Sequence, residues 1–381
     1  ANTPPGSTEH IRAVPAAGTP EEEGRDEVEA MFEGVRILDL SAVISGPMAT
    51  AMLADQGAEV LKVEPPELGD MTRRLGAQRN GVSAMFATVN RNKRSIVLDL
   101  KEPAGIDALR RLAASCDAVV QNFRPGAAER MGIGYEDLRT VREDLVYLSI
   151  SGFGRHGPYA HRRVYDPVMQ TVTGIAAAQG APVGEPRMVR TLLCDKATAL
   201  TAAQALAGAL FARERTGRGR HLELSMLDAS LWFHWPDLYW NHTFVGDDAE
   251  AHPDLADLFA VSRTADGWIA AVTDGSVDFS QMTTAEALAL LDEADAPCAP
   301  VNTLDAVLED PQVTEAGSLF TTEHPAGGML RQPRPPVRDG VEADYVRHPA
   351  PALGADGPAV LAAAGFSAAE IRALRTAGVL R

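Results

Sequence analysis

Eight of the basic side chains in the first 130 residues are placed in a pattern that suits anion chemistry. Arg73, Arg74, Arg79, Arg91, Lys93 and Arg94 lie within 22 residues, and Arg124 and Arg130 follow. Guanidinium and ammonium groups gathered in this way suit phosphate oxygens, so one chemistry they offer is a seat for a phosphorylated ligand such as a nucleotide cofactor. The other reading is a solvated face laced with ion pairs. The cluster stands out because the chain is acidic: 381 residues carry 35 Lys and Arg against 52 Asp and Glu, a net charge of −17. That balance argues against nucleic acid or an anionic membrane as partner, and leaves room for one small anion in a local basic pocket.

Other chemistries are not encoded. There is no G-x-G-x-x-G after the first strand, and no G-x-x-x-x-G-K-[ST], H-E-x-x-H or G-x-S-x-G. His156 and His161 lie five apart in a Gly/Pro segment and lack metal-ligand spacing, so no metal is expected. Cys116, Cys194 and Cys298 are scattered, which fits neither a disulfide scaffold nor a thiolate zinc site and points to a reducing, cytoplasmic setting. No apolar run reaches membrane-spanning length, and the start has no apolar segment of the signal-peptide kind. At 45% hydrophobic and 23% charged residues, the composition is that of a globular protein with a sizeable core.

The elements that must position any site follow a repeated grammar. Residues 1–33, rich in Pro, Gly, Thr and Glu, read as a flexible arm. Val35 to Leu40 reads as a buried strand, Met48 to Gln56 as a helix and Ala58 to Glu64 as a second strand. Strands are expected again at 95–100, 117–121 and 145–150, with helices at 105–115 and 195–215. Strand, helix, strand in this order predicts an α/β fold with a parallel, Rossmann-like sheet. The strand ends at Gln121 to Gly126 and Ser151 to Gly154 are candidate site loops. An aromatic-dense stretch holds Trp232, Phe233, Trp235, Tyr239 and Trp240 and reads as a helix docked on a core or a subunit interface. Residues 246–258 read as an acidic loop, 325–340 as an irregular, proline-rich connector, and 367–378 as a closing helix.

Several stretches together resemble the class III CoA-transferases of the carnitine/formyl-CoA transferase type, a superfamily that also holds α-methylacyl-CoA racemases. They are VRILDLSAVISGPMATAMLADQGAEVLKVEPPELGD, NRNKRSIVLDL, VVQNFRPGAAERMGIGYEDL, YLSISGFGRHGPY, YDPVMQTVTGI and PCAPVNTLDAVLEDPQV, with RHPAPALG in the tail. The resemblance implies a large CoA-binding domain over 34–215, a small α+β domain over 216–325, and a return to the large domain over 326–381. It also implies an interlocked homodimer that acts on an acyl-CoA and a small carboxylic acid.

By the same resemblance Asp166 is the catalytic nucleophile, which passes through a mixed anhydride and an aspartyl-CoA thioester. Gly152 to Gly154 would help shape its site. Val43, Ile44, Ser45 and Gly46 would line the coenzyme A, Lys93 and Arg94 would meet phosphates, and Asn122, Phe123, Arg124 and Arg130 would hold the nucleotide end. The racemase branch places a histidine before the aspartate, where this chain has Tyr165, a poor base at neutral pH. Asp195 matches that branch's second acid/base position. The resemblance therefore favours transfer, with a racemase or epimerase, or a CoA-binding homologue without turnover, as alternatives. Only 27 residues separate Ile269 from Pro297, shorter than the family pattern, so the small domain is expected to be cut down. The acidic loop also departs from the glycine-rich loop of transferases.

Overall fold

The structure is a computed structural model that describes residues 30–246, 248–254, 260–272, 276–337 and 345–381. Most of the expected arm, and residues 247 and 255–258 of the expected acidic loop, lie outside the described residues.

The first 225 residues hold eight strands: β1 (Arg36–Asp39), β2 (Glu59–Glu64), β3 (Gln78–Arg79), β4 (Val82–Ser83), β5 (Lys93–Val97), β6 (Ala118–Gln121), β7 (Val146–Ser151) and β8 (Arg220–Ser225). β3 and β4 form a separate small hairpin. The other six make one sheet in the order β5-β2-β1-β6-β7-β8, parallel throughout. Counting sheet strands alone, this is the doubly wound order 3-2-1-4-5-6, in which ligands enter the crevice where the winding reverses, here between β1 and β6. The strand expected at 95–100 starts earlier, at Lys93. The expected boundary after residue 215 falls just before β8, which belongs to the large sheet.

All of the sheet's strands but the edge strand β8 are buried on both faces, as a parallel sheet requires. Side chains alternate across it. Ile37 faces the Ser45–Asp55 and Leu193–Thr216 helices with Ala49, Leu53, Ala199 and Leu206. Leu38 faces the Pro103–Ala114 helix with Leu109 and Leu112. The chain end packs on this second face through Val360, Leu361, Ile371 and Leu380, and Leu380 bridges to Leu98. The large domain is thus built from both ends of the described chain.

The smaller unit is an antiparallel sheet of β9 (Ala260–Arg263), β10 (Trp268–Ala271) and β11 (Cys298–Pro300), in the order β11-β10-β9. The Thr284–Glu293 helix covers it, with Ala287 and Leu291 against Ile269 and Phe279. The expected irregular connector is instead partly a hairpin, β12 (Leu319–His324) and β13 (Gly328–Pro333). Its prolines do not interrupt pairing: Pro325 sits in the turn, Pro333 ends the second strand, and the others follow it.

Candidate active site at the carboxyl ends of the strands

Asp166 opens the Asp166–Val172 helix, with Pro167 behind it at a position where a missing N–H costs nothing. Its side chain is fully buried. Each carboxylate oxygen has one donor. Oδ2 accepts from the backbone N–H of Asp195 at 2.9 Å, and Oδ1 from Nε2 of Gln170 at 2.6 Å. Asp195 lies in the first turn of the Leu193–Thr216 helix, where unpaired N–H groups and the helix dipole favour an anion.

The Asp195 carboxyl is itself buried, and its Oδ1 accepts from Ser45 Oγ at 2.5 Å. Burial pushes it above the usual carboxylate range; the Ser45 hydroxyl opposes that, and the Asp166 charge adds to it. Burial also pushes the Cys194 thiol up to about 11, so no thiolate competes as nucleophile near neutral pH. A Cβ on Gly152 would fall 2.0 Å from Val164 Cγ1. Only glycine lets the turn after β7 pass so close to the segment that leads into Asp166.

The crevice between β1 and β6 is pinned by a side chain acting as backbone. Asn122 Nδ2 donates to the Ala42 carbonyl at 2.7 Å, and the Ala42 N–H donates to Asn122 Oδ1 at 2.9 Å. The next residue, Val43, has φ of +73°, a left-handed conformation that is strained for a β-branched side chain. Its N–H points at the Asp70 carboxylate, 3.3 Å from both oxygens.

A buried ionic network lies beneath this loop. Asp39 pairs with Lys93 at 2.9 Å, Lys62 with Asp70 at 3.0 Å, and Glu64 with Arg73 at 2.6 Å. Burial alone would raise the Asp39 carboxyl, but Lys93 and Lys62 outweigh it and hold it far below the usual range. Burial draws the Lys93 ammonium down to about 8 against the pull of Asp39.

With this geometry in place, the sequence matches carry weight. The model of CoA-transferase family III matches residues 32–282 and again 276–357. The chain belongs to CoA-transferase family III. It is 32% identical to a succinyl-CoA:glutarate CoA-transferase of Mus musculus, over 85% of this chain and 84% of that one. It is 31% identical to a succinate–glutarate CoA-transferase of Agrobacterium fabrum, over 87% and 95%. An acetyl-CoA:oxalate CoA-transferase of Acetobacter aceti is 42% identical over about half of each chain, 53% and 52%. Among solved structures, a CAIB/BAIF family protein of Brucella suis superposes with a TM-score of 0.76 at 28% identity, covering 88% of this chain and all of that one.

The fold of this family III member gathers some of the expected residues and separates others. Ala42, next to Val43, meets Asn122 at the crevice, and Ser45 of the same loop connects to Asp195 and so to Asp166. Phe123 is half-buried against the core, with its N–H on Gln121 Oε1 at 2.7 Å. Arg124 and Arg130 are exposed, and neither makes an ion pair among the described residues. The Arg130 guanidinium lies over Gly126, where a Cβ would come within 2.9 Å of Nη1.

Lys93 and Arg94 depart from their expected places. Lys93 Nζ is buried and donates to Asp39 Oδ2, the Pro47 carbonyl and Asn90 Oδ1, so all three of its N–H bonds are used. It supports the loop from below and has no donor left for a phosphate. Arg94 is next in an extended strand and therefore points to the other face, where it pairs with Glu59 at 3.1 Å. It lines a cleft of about 630 Å³ at the amino ends of β2 and β5, away from Asp166. Much of the early basic cluster is likewise spent on the ion pairs Arg73–Glu64 and Arg91–Asp55. Gln170 was missed, although its spacing of four from Asp166 on a helix was a usable signal.

Among the described residues no group of three or more His, Cys, Asp or Glu is placed to hold a metal ion, and no helix is long and apolar enough to cross a membrane.

Proposed function

We propose that this chain transfers coenzyme A from an acyl-CoA to a small carboxylic acid, with Asp166 as nucleophile. The observation that carries the reading is the buried Asp166 carboxylate, with one donor on each oxygen, linked through Asp195 and Ser45 to the crevice loop. The names of the family III relatives support it. Three of them name small di-acids, and a di-acid is the acceptor class we assign.

The steps need no external proton. An Asp166 oxygen attacks the thioester carbonyl, the C–S bond breaks, and a mixed anhydride and CoA thiolate result. The thiolate attacks Asp166 Cγ and expels the donor acid as carboxylate, leaving an aspartyl-CoA thioester. The acceptor carboxylate attacks that carbon, thiolate leaves again, and the thiolate then takes the new acyl group and frees Asp166. Arg124 and Arg130, exposed and unpaired beside the crevice, are suited to the nucleotide phosphates. Val43, Ile44, Ser45 and Gly46 line the thioester end.

Two features concern assembly. The family match breaks near residues 276–282, inside the short spacing before Pro297, which supports a shortened small domain. The Met226–Leu238 helix carries Trp232 at 80% exposure and Phe233 at 50%, and no core of the described residues covers them. We assign this face to a second subunit of a homodimer.

The test is incubation with acetyl-CoA or succinyl-CoA and labelled oxalate, succinate or glutarate, read as exchanged thioester. Mass spectrometry of the Asp166 peptide should find a covalent CoA adduct, absent in Asp166→Ala. Loss of an α-proton label in D₂O without exchange points to a racemase and overturns the reading, as does CoA binding with neither reaction.

A further inference from the structure

Gln170 is 1% exposed and sits one turn after Asp166. Its amide has one possible orientation. The backbone N–H of Val189 donates to Oε1 at 2.9 Å, so the NH₂ group must face the other way. There Nε2 has three acceptors, Asp166 Oδ1 at 2.6 Å, the Thr191 carbonyl at 3.0 Å and the Val189 carbonyl at 3.4 Å, so one N–H is on the carboxylate and the other is shared by the two carbonyls. Both N–H bonds are thereby committed. The 187–191 segment acts as a jig that holds one amide hydrogen on one carboxylate oxygen.

The two oxygens of Asp166 face different surroundings. Oδ2 lies toward Asp195, whose carboxyl touches Ser45 of the crevice loop. Oδ1 lies toward Gln170 and the backbone of 189–191. Oδ2 is therefore on the side of the loop assigned to the thioester, and Oδ1 is on the protein side.

We infer that Gln170 is a catalytic residue, the side-chain donor that stabilises the oxyanion formed on Asp166 itself. The inference rests on the transferase reading above. When the CoA thiolate attacks Cγ of the anhydride, the C–S bond forms and the carbonyl electron pair moves onto Oδ1. Collapse restores the Cγ–Oδ1 double bond, breaks Cγ–Oδ2, and releases the donor acid as a carboxylate bearing that oxygen. The acceptor carboxylate later adds to the same carbon and drives the same charge onto Oδ1. A fixed amide donor already at hydrogen-bond distance needs no reorganisation at that moment, which is what makes such donors effective. Two of the four attack steps pass through this oxygen.

A purely structural role would be to fill space and accept from Val189. Gln170→Glu keeps both of those and exchanges the donor for a second carboxylate beside Asp166 Oδ1, whereas Gln170→Leu loses all three. If Gln170 is the oxyanion donor, Gln170→Glu lowers kcat for CoA exchange by about 100- to 1,000-fold at pH 8, with KM for acyl-CoA and acceptor within about threefold of wild type. Two carboxylate oxygens that close cannot both ionise, so the pair takes up a proton as pH falls. That proton restores a donor, and the kcat of Gln170→Glu relative to wild type should recover between pH 8 and pH 6. A Gln170→Glu protein that keeps wild-type kcat at every pH overturns the inference, as does a loss of rate that ignores pH. Thermal melts confirm that the variants are folded, and Gln170→Glu carries the test if Gln170→Leu is not. Wild-type protein that exchanges no CoA overturns the transferase reading itself, a result distinct from any behaviour of the variants.

Discussion

The backbone N–H of Asp195 lies 2.9 Å from Oδ2 of Asp166, so one helix terminus serves two carboxyls. One accepts from the helix backbone; the other belongs to that backbone and turns toward Ser45. This arrangement has a pH signature. The Asp195 carboxyl is raised by burial, so the folded chain binds its proton more tightly than the unfolded chain does. Its contribution to stability is present below the usual aspartate range and is lost as pH rises through the raised value. Asp195→Asn cannot ionise and keeps an oxygen for Ser45. Its Tm relative to wild type should therefore be higher at pH 7 than at pH 4. Equal differences at the two pH values would remove this account of Asp195.

Lys93 holds the crevice loop through Asp39, and both side chains are fully buried. Lys93→Met leaves the buried Asp39 carboxylate without its paired cation, with only Lys62 nearby and the Ser41 and Thr50 donors, and should cost about 3 kcal/mol in urea unfolding. The double variant with Asp39→Asn should lose less than the sum of the two single variants. If Lys93 were a phosphate ligand instead, Lys93→Met would raise KM for acyl-CoA with little change in stability.

Val43 stores strain at the crevice, with φ of +73° on a β-branched residue. Val43→Gly relieves it, at the cost of a more flexible unfolded chain, for a net gain of about 1 kcal/mol. The looser loop should raise KM for acyl-CoA. The joint rise in Tm and KM is the readout; a fall in Tm would show that the conformation is not strained.

Trp232 and Phe233 expose most or half of their surface on one helix. Sedimentation should find a dimer, and Trp232→Asp should lower Tm and increase the monomer fraction. A wild-type monomer with unchanged melting in Trp232→Asp would overturn the assignment of that face.

The fold was legible because its signal is local. Runs such as Val146-Tyr147-Leu148 are apolar on both faces, and the helices between them carry one apolar stripe, so strand and helix follow from periodicity. The hairpin at 319–333 escaped because prolines near its turn mask a short alternation. Among site residues, Asp166 and the Val43 to Gly46 loop could be placed from motifs. Gln170 could have been reached by helical spacing, yet its partners Val189 and Thr191 lie across a loop whose path no spacing predicts.

By itself the sequence determined an α/β chain with a basic N-terminal cluster, and its motifs pointed to one aspartate. The tertiary structure decided what each charge is for. Lys93 and Arg94 are neighbours in sequence and equal in charge, but the pleat of one strand sends the first into a buried network and the second to the opposite face. Arg124 and Arg130 are exposed, and no carboxylate of the described residues pairs with either. Charge is a property of the residue, whereas its availability depends on which oxygens the fold brings within about 3 Å of it.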